Sequence, residues 1–233
     1  QEGAKEVVFF GIDRGEEQVN FRGTDFAVEQ QFGRSITIDS AMGPDPMLAY
    51  ALNGEPLSVH QGRPLRLLVP GWYGAPNVKF LSEIHVQEDQ YLGKYQARWY
   101  RTLKCEMVNG EMKWKETAIT RMRLKSYIAR VTRNGSNHKV FGVVLNDGTP
   151  IQSVEVRVDS GPWQPATMDP DTTSKYSWKF FTCDWNGATP GEHTIVSRAT
   201  DVNGNVQPTA EDLEVKQTFL EQNNQHPRTV MIA

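Results

Sequence analysis

The stretch of this sequence that most suggests chemistry is residues 62–74, which reads GRPLRLLVPGWYG. It places Arg66 inside a short apolar run that ends in glycine-containing turns, and Lys79 follows a few residues later. Backbone N–H groups at such turns and a guanidinium fork both bind the oxygens of an anion well. The segment therefore predicts a site for a phosphate or another oxyanion, with an ordinary strand and turn as the alternative.

Other local patterns are less specific. The five histidines are scattered, and no HExxH, GxSxG, P-loop or GxGxxG motif is present, so a histidine-only metal site is not expected. Arg121, Arg123 and Lys125 alternate along a predicted strand. This spacing is typical of a charged edge strand, and a docking or anion-steering surface is the alternative.

The two cysteines, Cys105 and Cys183, are too far apart for CxxC redox chemistry or a local thiolate metal site. They could form one disulfide in an oxidising compartment or remain as two thiols. The sequence leaves both alternatives open.

Composition limits the function classes. The 233 residues include 25 basic and 28 acidic side chains, giving a net charge of -3 and a pI of about 6.0, which argues against nucleic acid as the main partner. A hydrophobic content of 38% is enough for a folded core, and the length suits one or two domains. No apolar run is long enough to predict a membrane span.

The chain that surrounds the oxyanion segment divides into two parts. The first, residues 1–126, is predicted to mix helix and strand: strands at 5–10 and 65–69, and a helix that begins near Pro46 and ends at Asn53-Gly54. Residues 107–119 are predicted to be an irregular excursion. Residues 77–84 fit either a helical turn or a strand.

The second part, residues 127–233, is predicted to be all β. Val154, Val156 and Val158 alternate with charged residues, as in a strand with one buried face. Further strands are predicted at 139–145, 176–181, 193–199 and 215–220, separated by turn sequences. The fold class predicted for the whole chain is an α+β mixed N-terminal portion followed by an all-β immunoglobulin-like sandwich.

Four motifs resemble the sulfite oxidase family of molybdopterin oxidoreductases. LAYALNGEPL at 48–57 is similar to the family's LLAYxMNGxPL, and residues 62–81 are similar to GxPLRxxVPGxxGxxxVKWL, with Phe80 in place of the tryptophan. VEVRVDSGPW at 154–163 and RATDVNGNVQP at 198–208 are similar to motifs of the family's dimerisation domain. The four motifs occur in the family's order along both parts of the chain.

This resemblance implies that residues 1–126 are the C-terminal part of a molybdopterin-binding domain and that residues 127–233 are an immunoglobulin-like dimerisation domain. It also implies a molybdenum-molybdopterin cofactor. By position, it assigns contacts with that cofactor to Asp13, Arg66, Asn77, Val78 and Lys79.

The resemblance also assigns Tyr100, in the segment YQARWYR, to the family's active-site tyrosine beside the metal. A phenol there could hydrogen-bond a metal-bound oxygen or the substrate anion. Gln61 replaces a histidine that the family often uses for the cofactor, and His60 is a possible substitute.

The family's metal-ligating cysteine belongs to a CxGNRR-like segment upstream of the region that matches here. Neither Cys105 nor Cys183 has that sequence context. The resemblance therefore leaves three alternatives: one piece of a split enzyme with its N-terminal half on another chain, a part of a longer chain, or a descendant that lost the metal.

The resemblance implies an oxidoreductase that converts a small anion, sulfite, to sulfate and passes electrons to a cytochrome or similar acceptor. A homodimer formed through the second part, and a periplasmic location, are further expectations from it. A metal-free dimerisation or scaffold protein is the alternative function.

Overall fold

The computed structural model describes residues 3–170, 174–214, 216–217 and 220–233. Strands account for 53% of the described residues and helices for 7%. The chain forms two compact units: residues 1–103 with 114–120, and residues 104–113 with 121–233. The functional boundary predicted between residues 126 and 127 stays a prediction.

The first unit is organised around an antiparallel sheet with the strand order β2-β1-β7, and two short strand pairs, β3 with β6 and β4 with β5, accompany it. The helices are α1 (Ile38–Ala41), a 3-10 turn (Val59–Gln61) and a π-helical turn (Tyr95–Trp99). The strands are β1 (Glu6–Phe21), β2 (Thr24–Thr37), β3 (Met47–Ala49), β4 (Ala51–Leu52), β5 (Glu55–Pro56), β6 (Arg66–Leu68) and β7 (Leu81–Gln87).

The core of this unit lies against the first half of β1. Val7 and Phe9 alternate inward there and pack with buried residues of the neighbouring elements, including Leu67 and Val78. The pairing of β1 with β2 shifts register between Phe10 and Arg14. This bulge interrupts the alternation of side chains, and such bulges re-aim side chains near functional sites.

A hairpin follows, formed by β8 (Arg101–Val108) and β9 (Glu111–Ala118). Asn109 and Gly110 both have positive φ, 53° and 80°, as a tight hairpin turn requires. The expectation of an irregular excursion at 107–119 is therefore wrong, because the Asn-Gly pair closes a regular turn between two strands.

The second unit contains two four-stranded antiparallel sheets, ordered β10-β11-β15-β14 and β13-β12-β16-β17. Their buried residues, among them Val140, Val156 and Phe181, form one hydrophobic cluster. The strands are β10 (Lys125–Asn134), β11 (Asn137–Leu145), β12 (Ile151–Val158), β13 (Gln164–Pro165), β14 (Thr167–Met168), β15 (Lys179–Trp185), β16 (Gly191–Asp201) and β17 (Arg228–Ile232), and a 3-10 turn spans Glu211–Leu213.

The all-β prediction for the second part agrees with these sheets. Val154 and Val156 are buried while Glu155 between them is half-buried, as the alternation predicts. The strand predicted at 215–220 falls partly on residues outside the described set, namely 215, 218 and 219. The immunoglobulin-like topology stays a prediction.

The helix expected from Pro46 to Leu52 is wrong. Met47–Ala49 instead pairs with Arg66–Leu68, and Ala51–Leu52 pairs with Glu55–Pro56 across Asn53 and Gly54, both at positive φ. The Asn-Gly pair is thus a hairpin turn and not a helix end, and strand pairing overrides the helical spacing of the apolar residues. The α+β expectation for the first part therefore has little support, since α1 has only four residues.

Three smaller expectations are resolved. β10 begins at Lys125, so Arg121 and Arg123 precede the strand instead of alternating along it. Cys105 and Cys183 are free thiols, the second of them buried. Among the described residues, no helix combines the length and apolar character needed to cross a bilayer.

Candidate functional site

Two glycines bring Asp13 and Lys79 together in the first unit. A methyl group at Gly11 would lie 2.4 Å from Asp13 Oδ1 and 3.1 Å from the Lys79 carbonyl oxygen, so both residues flank this glycine. The neighbouring Ile12 N–H donates to the Phe80 carbonyl at 2.9 Å. The bulge in β1 therefore places the Asp13 carboxylate beside the backbone that carries Lys79.

Gly62 makes the second close approach. Its φ is +94°, and a methyl group there would lie 2.5 Å from Lys79 Cβ and 2.9 Å from Lys79 Cα. Only a glycine meets both conditions, since other residues are strained at this φ. The Lys79 ammonium donates to the His60 carbonyl at 2.8 Å, which fixes the end of the side chain beside the 3-10 turn.

Arg66 lies on the other side of the same turn. Its two terminal nitrogens donate to the carbonyls of Gln61 at 3.0 Å and Asn77 at 3.4 Å, while its Nε is buried without a partner. Burial lowers the pKa of the guanidinium. No carboxylate pairs with Arg66 among the described residues, so its charge is compensated only by carbonyl dipoles.

Asn77 and Val78 have mainly structural contacts. The Asn77 amide oxygen accepts from Val69 N at 2.7 Å, and its nitrogen donates to the Tyr73 carbonyl at 3.0 Å, which folds the turn after β6. Val78 is fully buried in the hydrophobic core. Among the predicted cofactor contacts, Val78 has no side-chain surface to offer a ligand.

Gln61 and His60 occupy the edge of this group. The Gln61 side chain accepts from Ser58 N at 2.8 Å and completes a capping box of the 3-10 turn. His60 is exposed, and its contact with the Lys79 ammonium is made by its backbone carbonyl.

Tyr100 belongs to an aromatic cluster of the same unit. Its ring centroid lies 6.4 Å from that of Phe32 and 6.5 Å from that of Tyr95. The Tyr100 carbonyl accepts from Ile119 N at 3.0 Å, and the next residue, Thr120, accepts from Tyr73 N at 3.0 Å. These backbone bonds connect the Tyr100 segment to the turn that contains Asn77.

Arg34 also lies in this region, although no sequence motif marks it as a candidate site residue. It is 1% exposed, and its guanidinium carbon lies 5.6 Å from the Tyr100 ring centroid. It donates to the carbonyls of Tyr95 at 2.5 Å and Ile119 at 3.1 Å, and its Nε has no partner. Burial lowers its pKa to about 10. The sequence marks Arg34 only as one charged residue inside a segment whose apolar residues otherwise alternate as in a buried strand.

The buried Nε atoms of Arg34 and Arg66, which have no hydrogen-bond partner, bear on whether an anionic cofactor fits this region. Buried N–H groups without partners are costly, and an oxygen-rich anionic group would satisfy them. Asp13, Arg66 and Lys79 supply the acceptor and the cationic donors that a pterin with a phosphate group needs. Among the described residues, no three His, Cys, Asp or Glu side chains are placed to hold a metal ion by themselves.

Comparison with known proteins agrees with this chemistry. Residues 5–95 match the family model described as the oxidoreductase molybdopterin binding domain. The chain is 30% identical over 204 residues to nitrate reductase [NADH] 2 of Phaseolus vulgaris, covering 76% of this chain and 23% of that protein. It is 28% identical over 225 residues to the sulfite oxidase of Arabidopsis thaliana, covering 88% of this chain and 54% of that protein.

A solved structure is similar over nearly the whole chain. The sulfane dehydrogenase SoxCD from Paracoccus pantotrophus matches with a TM-score of 0.77 and 25% identity, covering 99% of this chain and 56% of that one. The chain thus spans between about a quarter and just over half of the length of these relatives. The family model, the relatives and the shared fold together show that the chain belongs to the sulfite oxidase family of molybdopterin oxidoreductases.

Proposed function

We propose that the chain is the C-terminal part of a molybdenum-dependent oxidoreductase of the sulfite oxidase or dehydrogenase type. The proposed reaction is the two-electron oxidation of a small sulfur oxyanion, sulfite to sulfate, in which water supplies the added oxygen, two protons are released and the two electrons pass singly to a cytochrome-type acceptor. The observation that supports it best is the convergence of Asp13, Arg66 and Lys79 around Gly11 and Gly62.

In this proposal residues 1–126 hold the molybdenum-molybdopterin cofactor. Arg66 and Lys79 bind its anionic oxygens, Asp13 accepts from its N–H groups, and the backbone at Asn77 and Val78 lies against it. When bound, the cofactor supplies two-electron oxygen-transfer chemistry.

Tyr100 is the proposed catalytic residue of this chain. Its phenol donates a hydrogen bond to the substrate anion or holds a proton beside it. Arg34, buried against the ring, contributes a fixed positive charge that favours an anion nearby.

The remaining proposals concern partners and location. A polypeptide segment with the metal's thiolate ligand, on the same chain or on a partner, completes the centre, because neither Cys105 nor Cys183 lies in the sequence context of the family's metal-ligating cysteine. Residues 127–233 form the homodimer contact, and the enzyme acts in the periplasm.

The cofactor proposal is tested by the molybdenum and pterin content of the purified native protein, with intact mass spectrometry of every polypeptide in the sample. We expect about one molybdenum per copy and, for the split or longer chain, a second chain or a larger mass. The Lys79→Gln variant should lose most of the molybdenum, whereas Lys115→Gln, which removes an exposed charge in the same unit, should retain it. A metal-free lone chain would favour the scaffold function.

The catalytic proposal is tested by Tyr100→Phe in the assembled enzyme. We expect kcat/KM for sulfite to fall by about 10²-fold or more, with molybdenum content unchanged. Tyr50→Phe, which alters an exposed tyrosine of the same unit, is the matched control. An unchanged rate in Tyr100→Phe would remove this residue from the catalytic group.

A further inference from the structure

The backbone at Tyr100 is irregular and has no cap of its own. Tyr100 follows the π-helical turn Tyr95–Trp99, which begins at Lys94 without a side-chain cap hydrogen bond. Tyr100 itself has φ −96° and ψ 65°, outside the helical and extended regions. π-helical turns are rare and occur frequently at functional sites. The position of the Tyr100 phenol therefore depends on the contacts that other elements of the first unit make with this turn.

Strand β2 holds the turn through two successive residues. One terminal nitrogen of Arg34 donates to the Tyr95 carbonyl at 2.5 Å, and Ser35 N donates to Gln96 Oε1 at 3.5 Å. Arg34, Ser35 and Gln96 are all buried, so water does not compete for these bonds. The start of the π-helical turn is thus tied to a strand of the central sheet, mainly by the shorter bond from Arg34.

Arg34 also reaches the chain on the other side of Tyr100. Its second terminal nitrogen donates to the carbonyl of Ile119, the residue after β9, at 3.1 Å. Ile119 N in turn donates to the Tyr100 carbonyl at 3.0 Å. One planar guanidinium therefore joins the turn before Tyr100 to the backbone that is bonded to Tyr100. A lysine ammonium has no fixed fork with which to make both bonds in this way.

The same guanidinium lies against the Tyr100 ring. Its central carbon is 5.6 Å from the ring centroid, within the range of a cation–π contact. Phe32, two residues earlier on β2, meets the ring edge-on, with centroids 6.4 Å apart and planes at 78°. Burial lowers the pKa of Arg34 to about 10, which leaves it cationic at neutral pH. Both the backbone and the ring of Tyr100 are thus held from β2.

We infer that Arg34 is a positioning residue for Tyr100: its guanidinium joins the π-helical turn to the residue after β9 and thereby fixes the phenol beside the proposed substrate site. Arg34 is 1% exposed, so it acts through Tyr100 and not by contact with the substrate. The inference rests on the proposed function, in which Tyr100 is the catalytic residue of this chain. It adds a second role to the fixed charge of Arg34.

The first test reads the position of the ring and needs no turnover. Fluorotyrosine incorporated in place of Tyr100 reports the surroundings of the phenol by fluorine NMR of the purified native protein. We expect one narrow resonance in the unaltered protein and a shifted, broadened or split resonance in Arg34→Met. Arg34→Lys should be intermediate, because it keeps the charge and loses the fork. Arg22→Met, which alters an exposed arginine at the tip of the β1–β2 hairpin, should leave the resonance unchanged.

The second test is a double-mutant cycle on kcat/KM for sulfite in the assembled enzyme. Arg34→Met should lower it about tenfold, mostly through kcat and with molybdenum content unchanged, because the phenol is misplaced. In the Tyr100→Phe background, Arg34→Met should lower it less than about twofold, since no phenol remains to be positioned. A residue that only stabilises the fold would give equal losses in both backgrounds, and that result would overturn the inference.

The two tests separate this inference from the proposed function. If Tyr100→Phe alone leaves the rate unchanged, the catalytic role of Tyr100 fails, and the NMR comparison still decides whether Arg34 fixes the ring. An unchanged fluorotyrosine resonance in Arg34→Met would overturn the inference even if Tyr100 proves catalytic. If Arg34→Met does not fold by circular dichroism, Arg34→Gln, which loses the charge and keeps one donor group, takes its place in both tests.

Discussion

The two units position their side chains in different ways. In the second unit, two four-stranded sheets share one hydrophobic cluster, and regular alternation such as Val154 and Val156 suffices to build it. In the first unit, the candidate cofactor residues lie where the regular strand geometry is interrupted, at the bulge after Phe10 and at Gly62 with its left-handed φ. Strand periodicity therefore determines the two sheets of the second unit, while local irregularities determine the candidate site of the first.

The largest expected effects are losses of stability caused by truncating one buried side chain in the core of each unit. Phe181→Ala, which removes a ring that is 1% exposed, should destabilise the second unit by about 3–5 kcal/mol. Leu67→Ala, 2% exposed, should destabilise the first unit by about 2–5 kcal/mol. Native-state hydrogen exchange should show lost protection in the altered unit alone, and loss in both units with either variant would break the comparison.

The next effect concerns a polar network inside the second unit. Gln207 is 1% exposed, and its amide oxygen accepts from Ser126 N at 2.9 Å and Ser126 Oγ at 2.6 Å. Gln207→Leu removes the acceptor of Ser126 N and leaves Ser126 Oγ only its contact with Ser197 Oγ, so it should cost about 2–4 kcal/mol, measured by urea unfolding. Exposed Gln152→Leu should stay within about 0.5 kcal/mol of the unaltered chain.

The next effect compares two glycines of the first unit, one in close contact with its neighbours and one in open space. Gly62→Ala combines a strained φ of +94° with a methyl contact of 2.5 Å to Lys79 Cβ and should cost about 1–3 kcal/mol. Gly74→Ala adds a methyl group in open space and should leave the thermal midpoint nearly unchanged. Equal midpoints for the two variants would contradict the close approach of Gly62 to Lys79.

The smallest expected effect is a pH dependence of the second unit. His193 Nδ1 pairs with Asp159 Oδ2 at 2.8 Å. The hydrogen bond with Asp159 raises the pKa of His193, and the bond with His193, followed by that from Thr194, lowers the pKa of Asp159.

The pair therefore stabilises the fold in a limited pH window. The His193 contribution is fully present below the unfolded pKa of about 6.5 and is lost as pH rises through the higher folded value. The Asp159 contribution is present above its unfolded pKa of about 3.9 and is lost as pH falls through the lower folded value. The thermal midpoint of the unaltered chain should exceed that of Asp159→Asn most at pH 5–6, and a constant difference up to pH 9 would contradict the ion pair.

Much of the fold was predictable because short-range periodicity determines it. The strands at 5–10, 65–69 and 139–145 were expected from apolar runs, and each overlaps an observed strand. The helix expected after Pro46 failed because its apolar spacing fits two periods, and pairing of Met47–Ala49 with Arg66–Leu68 decided between them. Such pairing joins residues distant in sequence, which local patterns do not encode.

The candidate site was predictable only where a motif marks it. Arg66 and Lys79 follow from a glycine-rich apolar segment, and the structure gives them a shared turn through Gly62 and His60. Arg34 had no motif, since its importance comes from burial against Tyr100 and from carbonyls of distant segments. Burial of that kind results from the complete fold.

The hairpin of β8 and β9 has a consequence for how the protein can be divided. Residues up to 103 belong to the first unit, 104–113 to the second, 114–120 again to the first and 121–233 to the second. The chain therefore changes unit three times along its length. A single cut anywhere in the polypeptide leaves at least one unit incomplete, so fragment complementation, not domain dissection, is the genetic experiment that this topology permits.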